Sequence, residues 1–238
     1  MTAEEATKEL SSRPVIVIHG VGTTTDTQWR KTGWVDRLEA SGRTVIGVDL
    51  PGHGTSKNAV DRDPADLVLE QAAKHGSVDA IGFSAGSWAL LVAASEQPDL
   101  FDRIAVLGAA DMVLTAALHT PDMHGPMAAA LRADTAPADN PMAIMFRTMI
   151  ADAGNDRNSV ADYLAADKRF PTLDDLSKIT AATLVVEGGA DEAGPSDEIL
   201  QAIPKAERVV IDGANHFNIP MNEETLTAVE AFLTGGRL

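Results

Sequence analysis

The sequence predicts an α/β fold in which six mostly parallel strands form one sheet with helices on both faces. Short apolar runs rich in β-branched residues alternate with helical segments, and this alternation favours a parallel sheet with right-handed crossovers. The chain has 238 residues, of which 45% are hydrophobic. It can therefore bury the large core that a parallel sheet covered on both faces requires.

Each strand is predicted from a short apolar run that ends near glycine, proline or a polar residue. The predicted strands are Pro14–Ile18, Thr44–Asp49, Val78–Phe83, Ile104–Gly108, Thr183–Glu187 and Arg208–Ile211. Apolar residues at helical spacing predict helices at Asp26–Ala40, Pro64–His75, Ser87–Ser95, 196–203 and 222–233. In the first of these helices, four residues are candidates for the buried face, namely Trp29, Trp34, Val35 and Leu38.

A long segment, residues 111–182, interrupts the alternation between the fourth and fifth strands. It reads as several helices without a clear strand and holds six of the eight methionines. We expect a helical cap inserted into a core formed by residues 1–110 and 183–238. Methionine adapts to irregular apolar surfaces, so the segment suggests a pliable pocket, although these residues could equally pack the cap against the core. The candidates for lining the pocket are Met112, Met127, Met145 and Met149.

Composition restricts the partners of the chain. The formal net charge of −16 argues against nucleic acid and against an anionic membrane surface. Without cysteine there is no disulfide, thiolate metal site or cysteine nucleophile. The first residues lack the apolar region of a secretory signal, and no apolar run has the length of a membrane span, so we expect a cytoplasmic protein. A monomer and a homodimer are equally compatible with the sequence.

The most informative stretch is the pentapeptide Gly82-Phe83-Ser84-Ala85-Gly86, which lies between a predicted strand and a predicted helix. An abrupt strand-to-helix turn strains its central residue and leaves room only for small residues two positions away on either side. Ser84 then stands at the N-terminus of a helix, where unpaired N–H groups favour a developing negative charge.

Chemically useful side chains follow three of the predicted strands at the sheet edge where parallel sheets bind ligands. Ser84 follows the third strand, Asp191 the fifth and His216 the sixth. A serine nucleophile needs a base, and a histidine base needs a third group that fixes its tautomer. We expect His216 to be the base and Asp191 the third group. Asp111, after the fourth strand, and Glu192 are alternative acids.

Together with Val17-Ile18-His19-Gly20, the segment 49–56, the segment 188–191 and the segment 213–217, the pentapeptide resembles the serine hydrolases of the α/β-hydrolase fold, of the esterase or lipase kind. The resemblance covers nearly the whole chain. It implies a catalytic triad of Ser84, Asp191 and His216, and an oxyanion hole made by the backbone N–H groups of Val21 and Ala85. The antiparallel strands that usually open this fold are missing from the pattern, so we expect a reduced six-stranded sheet.

The expected function is cofactor-independent hydrolysis of a small or medium, apolar carboxylic ester, thioester or lactone through an acyl-enzyme. The first alternative is a hydrolase of carbon–carbon bonds in diketone-like compounds. The second is a ligand sensor with very slow turnover, which would differ from an enzyme in its kcat.

The remaining histidines suggest structural roles. His53 lies in a Gly- and Pro-rich loop, and His19 precedes the predicted oxyanion residue, where we expect it to support the loop. His119 and His124 lie five residues apart in the predicted cap, near Asp122. Two histidines without a third placed ligand are common by chance, and we expect no metal site.

Overall fold

The computed structural model of the protein describes residues 12–114, 121–135 and 138–235, with no side-chain description for 121–123. Within these ranges six strands form one sheet in the order β2-β1-β3-β4-β5-β6, and each pairing between neighbours is parallel. The predicted six-stranded sheet is therefore confirmed. The strands are β1 (Val15–Ile18), β2 (Val45–Val48), β3 (Val78–Phe83), β4 (Phe101–Leu107), β5 (Ala182–Gly188) and β6 (Ala206–Ile211).

Nine helices accompany the strands in the described part of the chain: α1 (Trp34–Ala40), α2 (Pro64–His75), α3 (Ala85–Glu96), α4 (Pro121–Arg132), α5 (Pro141–Asp152), α6 (Arg157–Ala165), α7 (Leu173–Leu176), α8 (Asp197–Ala202) and α9 (Glu223–Leu233). A π-helical turn at Asp26–Arg30 and 3₁₀ turns at Gly54–Ser56, Pro98–Leu100, Asp111–Leu114 and Ile219–Met221 complete the elements. None of the helices in the described ranges has the length and apolar character that a membrane span requires.

The helix predicted over Asp26–Ala40 is divided in two, which corrects the prediction. The π-helical turn ends at Arg30, and α1 begins only at Trp34. Gly33, between them, has φ 86°, a left-handed conformation that glycine adopts readily and that a continuous helix does not contain. The four residues predicted to face the core are nevertheless buried, since both short helices pack on the same side of the sheet.

Alternate residues of β1 belong to two separate hydrophobic clusters. Val15 and Val17 pack with α1 and α9 on one face of the sheet, whereas Ile16 and Ile18 pack with α2 and α3 on the other. All four side chains are fully buried. Because successive strand residues point to opposite faces and both faces are covered, the whole run is apolar.

Helices α4–α7 lie between β4 and β5 in the chain, within the segment predicted to form a cap. Helix α4 packs against α6, and α7 packs against α3. Arg169 pairs with Asp63 and Asp66 at the start of α2 and with Glu96 at the end of α3. The division into a core and a separate cap stays a prediction. Four stretches of the predicted core and cap lie outside the described residues, namely 1–11, 115–120, 136–137 and 236–238.

Strand order determines where a site can form. The chain leaves β1 for the edge strand β2 and returns to β3 on the other side of β1. Such a reversal opens a crevice beyond the carboxyl ends of the two central strands. In the pairing register Ile18 lies opposite Gly82, so that the loop containing Val21 and the turn containing Ser84 leave the sheet side by side.

Candidate active site

Ser84 occupies a strained turn between β3 and α3. Its φ of 52° and ψ of −117° make it the one non-glycine residue with positive φ in the described ranges. Such a conformation costs on the order of 1–3 kcal/mol. The Ser84 N–H and the Ser87 hydroxyl both donate to the Leu107 carbonyl, at 2.9 Å each, which holds the turn against β4.

Close contacts with neighbouring backbone atoms require glycine at both ends of the pentapeptide. A Cβ on Gly82 would lie 2.6 Å from the carbonyl oxygen of Gly86, and one on Gly86 would lie 2.7 Å from the carbonyl oxygen of His19. Both obstacles are backbone atoms, which cannot move aside as a flexible side chain does. The small residues around Ser84 therefore let α3 start directly against β1 and β3, in agreement with the sequence-based interpretation.

Three side chains from three strand ends form a hydrogen-bonded chain. The Ser84 hydroxyl lies 3.0 Å from His216 Nε2, and His216 Nδ1 lies 2.9 Å from Asp191 Oδ2. With its proton on Nδ1 donated to Asp191, the imidazole leaves Nε2 free to accept the serine proton. The Asp191 side chain is only 4% exposed, and its other oxygen, Oδ1, accepts the Ala193 N–H at 2.9 Å. This geometry suits activation of Ser84 as a nucleophile.

The two alternative acids lie elsewhere. Asp111 accepts the N–H groups of Glu198 and Ile199 at 2.8 and 3.1 Å and so caps the first turn of α8. Glu192 is exposed, and within the described part of the chain the carboxylate hydrogen-bonded to His216 is that of Asp191.

Aromatic rings and a glycine surround His216. Its ring centroid lies 5.4 Å from that of Phe83 and 5.6 Å from that of Phe217. A Cβ on Gly108 would lie 3.1 Å from His216 Cε1, so the glycine leaves space for the imidazole. Sequence reasoning did not assign Gly108, since a glycine after a strand is also an ordinary turn signal.

Val21 and Ala85, the residues expected to supply the oxyanion hole, border the same space as Ser84. Ala85 is the first residue of α3, and N–H groups in the first turn of a helix have no partner within it. Among the described residues neither backbone N–H donates a hydrogen bond, so both remain available to a substrate oxygen.

Two buried histidines hold the loops beyond β1 and β2. His19 donates from Nδ1 to the Gly20 carbonyl and accepts the Leu50 N–H at Nε2. His53 donates from Nδ1 to the Pro51 carbonyl and accepts the Gly22 N–H at Nε2, 2.9 Å away. Burial lowers the pKa of both rings, that of His53 to about 3, so both are neutral at physiological pH. These bonds agree with the structural roles expected for them.

Asn155, between α5 and α6, fastens the same loops from the inserted segment. Its amide nitrogen donates to the carbonyls of Gly22 and Thr23 at 3.0 Å each, and its oxygen accepts the Gly54 N–H at 2.8 Å. The side chain thus joins the loop that contains Val21 to the loop that contains His53. The sequence gives no pattern for it, because every partner is a backbone group more than a hundred residues away.

Ser84 borders two cavities. The larger, which we call the large chamber, has a volume of about 720 Å³ and is lined by His216, Phe217 and residues of α5. The smaller, which we call the small chamber, has a volume of about 170 Å³ and is lined by Ala85, Trp88 and residues from the end of the inserted segment. Val21 borders both chambers.

The four methionines expected to line the pocket separate into two pairs. Met145 and Met149, on α5, line the large chamber. Met127 packs against the hydrophobic core, and Met112 is 46% exposed; neither borders either chamber. Helical spacing cannot distinguish these two pairs, since the path of the inserted segment decides which methionines meet the cavity. Phe146 and Phe217, whose ring centroids lie 6.4 Å apart in an edge-to-face arrangement, also line the large chamber, and sequence reasoning missed both.

His124 borders the small chamber, and its partner in the weak metal pattern, His119, lies outside the described residues. Burial lowers the pKa of His124, and the neighbouring Lys168 ammonium acts in the same direction. A neutral imidazole therefore faces the chamber at physiological pH.

Comparisons with known proteins agree with this fold. In fold, the chain is similar to the enol-lactonase from Burkholderia xenovorans LB400 (TM-score 0.68, 22% identity, 93% and 92% of the two chains covered). It is also similar to Rv0554 from Mycobacterium tuberculosis (0.72, 18%, 95% and 92%) and to 2-hydroxy-6-oxo-6-phenylhexa-2,4-dienoate hydrolase from Rhodococcus sp. strain RHA1 (0.64, 18%, 95% and 92%). No curated protein matches the sequence. The sequence profile described as "Alpha/beta hydrolase family" matches residues 15–231, nearly the whole chain, and this protein therefore belongs to the α/β-hydrolase family.

Proposed function

We propose that this protein is a cofactor-independent serine hydrolase that cleaves a small or medium, apolar carboxylic ester, thioester or lactone. The observation that carries the proposal is the hydrogen-bonded chain from Ser84 through His216 to Asp191. Ser84 attacks the carbonyl carbon while His216 takes its proton, and the backbone N–H groups of Val21 and Ala85 receive the negative charge that develops on the carbonyl oxygen.

Collapse of the tetrahedral intermediate requires a proton for the leaving oxygen, and His216 returns the one it took from Ser84. A water molecule then attacks the acyl-enzyme. His216 takes a proton from the water while the water oxygen attacks the acyl carbon. Ser84 leaves with the proton returned by His216, and the carboxylic acid is released. The Asp191 carboxylate accepts the hydrogen bond from the His216 Nδ1–H throughout. Nε2 is therefore the ring nitrogen that accepts and donates the proton.

The lining of the large chamber favours an uncharged substrate over an anionic one. Met145, Phe146 and Met149 line the chamber, together with Phe217, whose ring lies beside that of Phe146. The described residues that line it include the carboxylate of Asp152 and no lysine or arginine. Ring-cleavage products that carry a carboxylate would lack a counter-charge there. The ester reading is therefore preferred to the carbon–carbon hydrolase reading.

The first test is covalent labelling with a fluorophosphonate, followed by intact mass and peptide mapping. We expect one adduct per chain, located on Ser84, and none on a Ser84→Ala variant. His216→Gln should abolish labelling, whereas His75→Gln, at an exposed helix end, should not change it. Absence of an adduct on the wild-type protein would contradict the proposal.

The second test is turnover on panels of uncharged esters, thioesters, lactones and diketone acids. We expect ester cleavage with a kcat on the order of 1–1,000 s⁻¹, the usual range for enzymes. A labelled Ser84 combined with tight ligand binding and turnover far below this range would favour the sensor reading. Cleavage of diketone acids alone would favour the carbon–carbon hydrolase reading.

A further inference from the structure

Ser84 lies where the large and small chambers meet, and the groups that act on a bound ester are divided between them. His216 borders the large chamber and not the small one, whereas Ala85 borders the small chamber and not the large one. The site is therefore asymmetric about the nucleophile, and an ester that straddles Ser84 has two distinct ends to place.

Proton transfer decides which end goes where. A leaving oxygen must come within hydrogen-bond reach of the group that protonates it. That group is His216 Nε2, 3.0 Å from Ser84 Oγ, on the side of the large chamber. The alcohol half of the ester must therefore depart on that side. With its carbonyl oxygen directed to the N–H groups of Val21 and Ala85, the acyl half extends the other way.

The small chamber offers that acyl half a largely apolar surface. Trp88 and Phe170, with ring centroids 6.2 Å apart, and Leu164 form much of its wall.

Two cations, Lys168 and Arg169, also border the small chamber, and both have partners. The Lys168 ammonium donates to the carbonyls of Tyr163, Ala166 and Leu164, at 2.6, 2.7 and 3.4 Å. Its three hydrogens are thus occupied by the end of α6. The Arg169 guanidinium pairs with the carboxylates of Asp63, Asp66 and Glu96.

Volume sets the size of the group that each chamber accepts. An apolar cavity of about 150 Å³ can bind one benzene molecule, so the small chamber, at about 170 Å³, accommodates roughly six carbon atoms. The large chamber, at about 720 Å³, falls within the range of roughly 300–1,000 Å³ that is usual for ligand pockets.

We propose that the small chamber binds the acyl group and the large chamber binds the leaving group, so that the substrate is an ester of a short, uncharged acyl group with a bulky apolar alcohol or phenol. This assignment rests on the proposed serine hydrolase function. It makes Phe170 and Leu164 determinants of acyl length, and Phe146 and Met149 determinants of alcohol size.

Two substrate series test the assignment on the wild-type protein. In the first, nitrophenyl esters share one leaving group while the acyl chain grows from acetyl through butanoyl and hexanoyl to octanoyl. In the second, acetate esters carry primary alcohols of similar acidity that grow from ethyl to cyclohexylmethyl. We expect kcat/KM to fall about tenfold or more beyond hexanoyl in the first series, and to rise with alcohol size in the second.

A pair of matched variants separates the chambers. Phe170→Ala should extend the accepted acyl length and leave the order of the alcohols unchanged. Phe146→Ala should alter the alcohol series and leave the acyl limit in place. Octanoyl and butanoyl esters cleaved at equal rates by the wild-type protein, or an acyl limit that moves with Phe146→Ala rather than with Phe170→Ala, would overturn the assignment.

Failure of the inference and failure of the proposed function give different results. If no ester in either series is cleaved and Ser84 is not labelled by the fluorophosphonate, the hydrolase function itself fails. If Ser84 is labelled and esters are cleaved without the expected asymmetry, only the assignment of the chambers fails. Because the two series use the wild-type protein, this distinction does not depend on either variant folding.

Discussion

Substitution of Asp191 by asparagine should nearly abolish turnover while leaving the fold intact. The two carboxylate oxygens have different partners: Oδ2 accepts the His216 Nδ1–H, and Oδ1 accepts the Ala193 N–H, at 2.9 Å each. An asparagine amide has one acceptor oxygen. If that oxygen faces His216, the NH₂ group of the amide faces the Ala193 N–H, and two donors meet without an acceptor. The amide therefore turns its oxygen to Ala193 and its NH₂ group to His216 Nδ1.

An NH₂ group at Nδ1 forces the imidazole proton onto Nε2, where it blocks transfer from Ser84. In a protease triad the equivalent exchange lowers kcat by about four orders of magnitude, and we expect a similar loss for Asp191→Asn. At about 1.4 kcal/mol per factor of ten this is roughly 5 kcal/mol of barrier. Steady-state hydrolysis of a nitrophenyl ester measures kcat, and thermal unfolding checks the fold.

Asp111→Asn is the matched control, since it makes the same exchange in a carboxylate that caps α8 instead of contacting His216. It should lower stability by about 1 kcal/mol and leave kcat within a few-fold of the wild-type value. If Asp191→Asn kept kcat within tenfold of wild type while Asp111→Asn lost activity, the assignment of the acid would be wrong.

Three further outcomes follow from the contacts around the site and the core. Asn155→Ala should lower kcat about tenfold to a hundredfold with little change in KM, because the loop that contains Val21 loses two of the hydrogen bonds that hold it. Asn158→Ala, at an exposed position, should change neither constant. The contribution of His53 to the free energy of unfolding, measured in urea as the difference between the wild-type protein and His53→Gln, should fall as pH drops from about 7 to about 5, by up to about 1.4 kcal/mol per pH unit. Burial lowers the pKa of this ring from 6.5 to about 3, so as the pH falls the ring is protonated in the unfolded chain before it is protonated in the folded one. The free energy of unfolding of His53→Gln should therefore depend less on pH. Asp79→Asn should destabilise the fold by about 3–5 kcal/mol, because it leaves the buried Arg43 guanidinium without the carboxylate 2.7 Å away; an unchanged urea midpoint would contradict this.

The sheet and the positions of Ser84 and His216 at one of its edges were predictable from patterns that are local in the sequence. A strand covered on both faces must be apolar throughout, as Val15–Ile18 is, and a strand-to-helix turn with close backbone contacts must contain small residues, as at Gly82 and Gly86. The order of the parallel strands then brings Ser84 and His216 to one edge although they are 132 residues apart.

The features that sequence reasoning missed depend on the path of the chain. Gly33 interrupts an amphipathic run whose apolar spacing continues across it, so the break at this residue is invisible to periodicity. Met127 and Met145 share a residue type and a segment, yet one packs in the core and the other lines the large chamber. Asn155 acts on backbone carbonyls, which carry no sequence signature.

The inserted helices connect the large chamber to the loop that contains Val21. Helix α5 lines the large chamber and also packs on the loop after β1: a Cβ on Gly22 would lie 2.7 Å from Met149 Cε. The Asn155 side chain, just beyond α5, donates to two backbone carbonyls of the same loop, and His53 Nε2 accepts the Gly22 N–H. The loop that carries the backbone N–H of Val21, the proposed oxyanion donor, is thus held partly by the segment that lines the proposed alcohol site. A substitution in α5 that changes which alcohol is accepted can shift this donor as well, and kcat and KM measured separately distinguish the two effects.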